Sequence, residues 1–431
     1  MIARPLLTVT LLTAVSLIAA PAATAAPTYI QAGRVMAVPG KSILGPSTIV
    51  VDGDRIVSVQ SGHIAPPAGA TLVDLRDKMV LPGLIDSHVH LASDRGGEAG
   101  LLSFMREEPQ MNALEAQMNG MKTLRAGFTT VRNLGDGGAT LALREAIKRG
   151  WVQGPRIVDA ASAISTTGGH MDGRGGLNDD LVAHLPTPEN LCDGVDSCRK
   201  VVRRQIDRGA DVIKFATTGG VNSGTGLATR MNEDEARALI DTAHAYGRKV
   251  AVHAHGADGI KLALRAGADS IEHGTVMDDE IIKLMKAKGT YYVPTLSTVN
   301  GYLERLAANP NAYAPDVKKQ IDWRIGITGQ SLLKAAPAGV KIAFGTDAGV
   351  SKHGRNAEEF ELMVKYGMTP IEAIKAATVN AADLLGLASE IGTIEPGKSA
   401  DLIAVAGDPI ADVRVLKSVA FVMARGDVIK D

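Results

Sequence analysis

Two histidines two residues apart, His88 and His90, close the run Gly83-Leu-Ile-Asp-Ser-His-Val-His. On an extended strand, residues i and i+2 face the same way, so both imidazoles point together. Two neutral imidazoles on one face are half of a site for a borderline metal such as zinc. His253 and His255 repeat the spacing in Val252-His-Ala-His-Gly, His273 ends Ser270-Ile-Glu-His, and Asp347 ends Ala343-Phe-Gly-Thr-Asp. Any one of these histidines alone reads as readily as structural; their shared position at the ends of short apolar runs is what points to a site.

Lys214 ends the run Asp211-Val-Ile-Lys, whose apolar character fits a surface position poorly. A buried ammonium beside divalent cations is expensive, so the position calls for a neutral or acidic derivative. A carbamate on Lys214, an N6-carboxylated lysine, meets that need as an anion with two oxygens able to bridge two metals. His170, in Thr167-Gly-Gly-His-Met-Asp-Gly, offers an oxyanion donor or a partner for a substrate carboxylate, and equally reads as a solvated loop histidine. His353, in Ser351-Lys-His-Gly-Arg-Asn, is a second substrate-binding candidate of the same standing. The Gly-rich loop Thr217–Gly226 can present backbone N–H groups to a carboxylate. His63, His184 and His244 read as structural or solvated, and a Gly-x-Ser-x-Gly nucleophile elbow is absent.

The elements that must position these groups recur as one phrase: a helical pattern, a glycine, then a short apolar run. It appears at Gly127, Gly154, Gly209, Gly247, Gly267, Gly289 and Gly339, and a strand within Leu84–His88 makes eight units. A glycine just past a helix end takes the left-handed conformation that closes the helix, and strands alternating with helices pair in parallel. Eight such units predict a (β/α)8 TIM barrel, with an open doubly wound sheet as the alternative. The candidate ligands then fall at the C-terminal ends of strands one, four, five, six and eight, where barrel enzymes place their chemistry. The flanks read as β-hairpins around Asp52-Gly53-Asp54 and Gly426-Asp427, too small to bury a core separately. They predict one small β-sandwich, formed by residues 27–82 and 396–431 around a barrel at 83–395.

Residues 1–26 read as an export signal: Arg4, an apolar stretch Leu6–Ala20, then Ala23-Thr24-Ala25-Ala26 before Pro27. The expected location is periplasmic or secreted, with no membrane anchor because the apolar run is short. A formal net charge of −1 gives no reason to expect a nucleic-acid or anionic-membrane partner. Cys192 and Cys198 lack Cys-x-x-Cys spacing; a loop disulfide and two free thiols both stay open.

The motif set resembles the amidohydrolase superfamily, in the branch of imidazolonepropionase-like and Xaa-Pro dipeptidase-like (prolidase-like) hydrolases. The resemblance is carried by Leu81-Pro-Gly-Leu-Ile-Asp-Ser-His-Val-His, Ile213-Lys-Phe-Ala-Thr-Thr-Gly-Gly, Val252-His-Ala-His-Gly, Ser270-Ile-Glu-His-Gly-Thr, Gly345-Thr-Asp-Ala-Gly and Gly392-Thr-Ile-Glu-Pro-Gly-Lys-Ser-Ala-Asp-Leu-Ile. It spans essentially the whole chain after residue 27. It implies two divalent metal ions, zinc foremost, with manganese and cobalt as alternatives. His88, His90 and Asp347 would hold the inner ion, His253 and His273 the outer one, and carboxylated Lys214 would bridge them. His255 would face the substrate, although His253 and His255 compete for the fifth-strand position. Asp347 would be both ligand and general base. The implied activity is hydrolysis of the amide bond of dipeptides or N-acyl amino acids, carboxypeptidase- or dipeptidase-like, with ochratoxin-hydrolysing relatives among the branch. A lactonase or cyclic-amide hydrolase on the same site is the alternative. Related enzymes assemble as homo-oligomers, often octamers.

Overall fold

The computed structural model describes residues 26–96, 100, 102, 103, 106–222 and 226–431. The export reading of residues 1–26 therefore falls, but for Ala26, outside the described residues.

Seven of the eight expected runs form strands: β5 (Leu84–Val89), β6 (Phe128–Asn133), β7 (Arg156–Asp159), β8 (Val212–Ala216), β9 (Lys249–Ala254), β10 (Ser270–His273) and β11 (Tyr291–Val293). They pair in parallel as a three-stranded sheet, β5-β6-β7, and a four-stranded sheet, β11-β10-β9-β8. The two sheets are linked on both sides by hydrogen bonds. On one side Ile164 bridges Phe215, with Ile164 N donating to Lys214 O at 2.8 Å. On the other, the eighth run lies between β11 and β5: Ala343 N donates to Tyr292 O (3.0 Å) and Ser87 N to Phe344 O (2.8 Å). Every residue of β8, β10 and β11 is buried, as parallel strands covered on both faces must be.

The helix-closing glycines behave as expected at Gly267 (φ 107°) and Gly289 (φ 68°), each opening the turn into the next strand. Gly154 differs. The positive φ after that helix belongs to Gly150, and Gly154 instead sits close to Ile147, whose Cδ1 would lie 2.4 Å from a Cβ there.

The flanks, expected as a β-sandwich, share one seven-stranded sheet in the order β14-β13-β12-β4-β1-β2-β3. These strands are β1 (Thr28–Val35), β2 (Ser47–Asp52), β3 (Arg55–Ser61), β4 (Thr71–Pro82), β12 (Leu402–Val405), β13 (Val419–Ala424) and β14 (Asp427–Lys430). β4 pairs with β1 on one side and with β12 on the other, which joins the two ends of the chain. The sheet curls until edge strand β3 meets the segment leading into β12: Ile56 N donates to Lys398 O, and Ala400 N to Asp54 O (2.8 Å). The two layers are thus one sheet folded over a core that includes Ile30, Ile49, Ile56, Leu402 and Phe421. Cys192 and Cys198 form a disulfide at the start of helix Val195–Asp207. Among the described residues, no helix is long and apolar enough to cross a membrane.

Candidate metal centre

The predicted ligands converge. One group comprises His88, His90 and Asp347, and a second His253, His255 and His273; within each, the candidate ligand atoms lie within 4.8 Å of one another. Both groups, with Lys214 and His170, line one cavity of about 290 Å³ at the C-terminal ends of the strands.

The backbone brings the first group together. Asp347 N donates to His88 O and His90 N to Ala348 O, each at 2.7 Å, so the turn after the eighth run is laced onto the end of β5. Asp347 Oδ1 then lies 3.5 Å from His88 Nε2 and 3.4 Å from His90 Nε2. Asp347 (φ 57°) and His273 (φ 69°) both hold left-handed backbone, which ordinary side chains rarely adopt. Such strain persists where surrounding structure over-determines it, commonly at functional sites.

Each strand histidine has one ring nitrogen engaged away from the cluster. Glu272 takes the Nδ1–H of His88 (2.8 Å), Thr275 Oγ1 lies 2.7 Å from His255 Nδ1, and Thr295 Oγ1 lies 2.8 Å from His273 Nδ1. His253 instead donates Nε2–H to Gly219 O at 3.2 Å, leaving its Nδ1 unprotonated. This is the support that orients imidazoles as metal ligands. Burial drives the pKa of His88 down to about 4, and pushes His253, His255 and His273 well below their ordinary value. Neutral imidazoles offer lone pairs, so these four histidines are in the protonation state a metal requires.

Charge divides the two ends of the cavity. Burial opposes protonation of His90, but the carboxylates of Asp136 and Asp347 outweigh it and raise its pKa to about 9. Burial likewise opposes ionisation of Asp347, yet His88 and His90 hold its pKa below the ordinary value. Lys214 is the anomaly. It is 1% exposed, its Nζ has no hydrogen-bond partner among the described residues, and burial drags its pKa from 10.5 to about 8. A buried amine without an acceptor costs free energy as it stands. The same amine, partly unprotonated near neutral pH, is a nucleophile for CO2. Orphaned lysine, neutral imidazoles and low-pKa carboxylate together fit a divalent metal site.

His170 stacks on His253 with ring centroids 4.2 Å apart, and burial holds its pKa down at about 4. It faces the cavity as a neutral hydrogen-bonding group. His353 does not reach the cavity. Its Nε2 donates to His90 O (3.0 Å) and Ser93 O (3.2 Å), and its Nδ1 takes the hydroxyl of Thr123 at 3.2 Å. With both nitrogens engaged, it braces the segment after β5 and has nothing left for a substrate, contrary to the sequence expectation.

Four contributors escaped the sequence reading. Glu272 was in view inside Ser270-Ile-Glu-His, but its use as the His88 acceptor was not. Asp136, in the loop after β6, reaches His90 Nδ1 at 3.4 Å. Arg324 and Tyr302 line the cavity from the long excursion between β11 and the eighth run, with no local motif to mark them.

Comparison with known proteins shows the family of the chain. The Amidohydrolase family model matches residues 79–429. The ochratoxinase of Aspergillus niger is 30% identical over 424 residues, covering 94% of this chain and 86% of that protein. The crystal structure of an Xaa-Pro dipeptidase with methionine bound in its active site superposes with a TM-score of 0.89 at 40% identity, over 94% of this chain and all of that one. A prolidase complexed with N-methylphosphonate-L-proline gives a TM-score of 0.84 at 33% identity, over 94% and 99% of the two chains. The chain is a hydrolytic enzyme and belongs to the amidohydrolase family, whose members depend on metal.

Proposed function

We propose that this protein is a binuclear metal-dependent amidohydrolase that cleaves the amide bond of dipeptides or N-acyl amino acids, on a closed (β/α)8 barrel. The observation that carries the reading is Lys214: a buried Nζ without a partner among the described residues, in the cavity shared by both ligand groups. As a carboxylated lysine it becomes an anion shared by both groups, of which only the first has a carboxylate, Asp347. His88, His90 and Asp347 would hold one ion, His253 and His273 the other, with Lys214 shared; His255 is then left to face the substrate. The hydrogen bonds that join both edges of the two parallel sheets support the barrel.

Two divalent ions at these ligands, zinc by preference, supply Lewis acidity to a carbonyl and lower the pKa of water. The chain's own residues do the rest. Asp347, held ionised by its two imidazole neighbours, accepts the proton of the attacking water and returns it to the leaving amine. His170, neutral and against the cavity, donates a hydrogen bond to the carbonyl oxygen as it gains negative charge. Glu272 and the Thr275 and Thr295 hydroxyls keep the imidazoles in register, so little reorganisation accompanies reaction.

The amide-bond preference draws on the relatives: an ochratoxinase, an Xaa-Pro dipeptidase and a prolidase. The test is a panel of N-acyl amino acids, Xaa-Pro and other dipeptides, lactones and cyclic amides, assayed with zinc-loaded protein. Amine release from the first two groups supports the reading; turnover of lactones or cyclic amides alone would replace it. Export after residue 26 and assembly into an octamer complete the proposal. N-terminal sequencing of the secreted chain and light scattering test these two points.

A further inference from the structure

Arg324 lies on helix Pro315–Gly326, whose buried residues are only Ile321 and Arg324 itself. It is 3% exposed and lines the cavity beside His255 and Tyr302. One guanidinium nitrogen, Nη1, donates to Thr328 Oγ1 at 3.1 Å. Among the described residues, no carboxylate lies within ion-pair distance of Arg324. The contrast with Arg132 is direct: that guanidinium is equally buried, and Glu272 meets it at 2.8 Å. A buried charge without a counter-ion is costly, and proteins retain one where a ligand brings the opposite charge. Arg324 offers its guanidinium on the cavity wall to an anionic substrate group.

We propose that Arg324 is the receptor for a carboxylate on the leaving half of the substrate, either the α-carboxylate of the released amino acid or one on its side chain. This rests on the amide-hydrolase reading above. The planar fork of a guanidinium matches a carboxylate in two parallel hydrogen bonds, which a lysine or a neutral imidazole cannot offer. Such a receptor makes the enzyme selective for substrates with a free acid beyond the scissile bond. It also explains why evolution would leave a charge unpaired: an internal carboxylate would compete with the substrate.

The experiment is calorimetric titration of the metal-loaded chain with three product-like amines. L-Phenylalanine carries only an α-carboxylate, L-isoglutamine only a side-chain carboxylate, and L-phenylalaninamide neither. Wild type should bind at least one of the two acids on the order of 10- to 100-fold more tightly than the amide, and the better acid identifies which carboxylate is read. Arg324→Met should erase the acid-over-amide preference, and Arg324→Lys should keep part of it. The melting temperature of Arg324→Met without ligand should equal or exceed that of wild type, because an unpaired buried charge has been removed. An Arg324→Met protein that still prefers the acid as wild type does, or a wild type with no preference, overturns the proposal. If Arg324→Met does not fold, Arg324→Lys decides: binding of the acid unchanged from wild type overturns it. Failure to hydrolyse any N-acyl amino acid contradicts the amide reading alone, since the binding preference is measured without turnover.

Discussion

Glu272 on β10 takes the Nδ1–H of His88 on β5 at 2.8 Å, across the interior, and receives Arg132 on its other oxygen at 2.8 Å. One carboxylate therefore fixes the tautomer of the His88 imidazole and pairs with the buried guanidinium of Arg132. Burial would raise its pKa, but Arg132 and His88 outweigh burial and hold it at about 2.

Glu272→Gln leaves an amide to face His88 and removes the charge opposite Arg132. Loss of a ligand's supporting acceptor typically costs 10- to 100-fold in metal affinity. Breaking a buried pair by removing one partner costs about 3–5 kcal/mol. We expect both effects: metal lost on dialysis against a weak chelator, and a lowered melting temperature even in the metal-free protein. A variant that loses metal affinity without any loss of stability would show that Arg132 does not depend on Glu272.

Lys214→Met separates structural from functional cost in the opposite sense. Replacing a buried amine that has no partner with an apolar chain of similar length should leave the metal-free fold as stable or more stable. The same change should abolish activity. A metal-free Lys214→Met protein less stable than wild type would mean that the amine makes an interaction in the fold.

The raised pKa of His90 makes a prediction for pH. In the metal-free protein its folded value, about 9, exceeds the ordinary 6.5, so its pairing with Asp136 and Asp347 stabilises the fold fully below about pH 6.5. That stabilisation is lost as pH rises through about 9. A metal ion must displace the same proton, so below pH 9 its apparent affinity should weaken by about tenfold per unit from this group alone. Melting curves with and without chelator from pH 6.5 to 9.5 check the first statement, and proton release on metal addition checks the second. Asp136→Asn should flatten both dependences.

The disulfide Cys192–Cys198 sits beside the loop that carries His170, since Cys192 N donates to Ser165 O at 2.9 Å. A short closed loop gains about 2 kcal/mol from its link. Reduction, or Cys192→Ser with Cys198→Ser, should lower the melting temperature by several degrees and lower kcat, while leaving metal content at the wild-type level. Loss of metal on reduction would tie the disulfide to the ligands themselves.

The metal-site candidates were legible because each sits at one recurring place, the end of a short apolar run after a glycine. Period-two geometry then aims His88 with His90, and His253 with His255, without knowledge of the fold. Arg324 and Tyr302 were not legible. Their helices, Pro315–Gly326 and Thr298–Ala308, turn inward because of what they pack against, and local periodicity does not reveal that. His353 shows the converse. Its loop lies on the correct side of the fold, but Thr123 and two backbone carbonyls take its ring. The folded-over sheet of the flanks was visible as hairpins, whereas the placement of β4 between strands from both chain ends is a long-range pairing that no local pattern encodes.

The most direct test concerns the state of Lys214. Protein reconstituted with zinc in 13C-labelled bicarbonate should bind two equivalents of metal per chain and show one labelled carbamate carbon by NMR; Lys214→Met should show no such carbon and at most one equivalent of metal. A wild-type protein carrying one metal ion and an unmodified Lys214 would contradict the account at its centre.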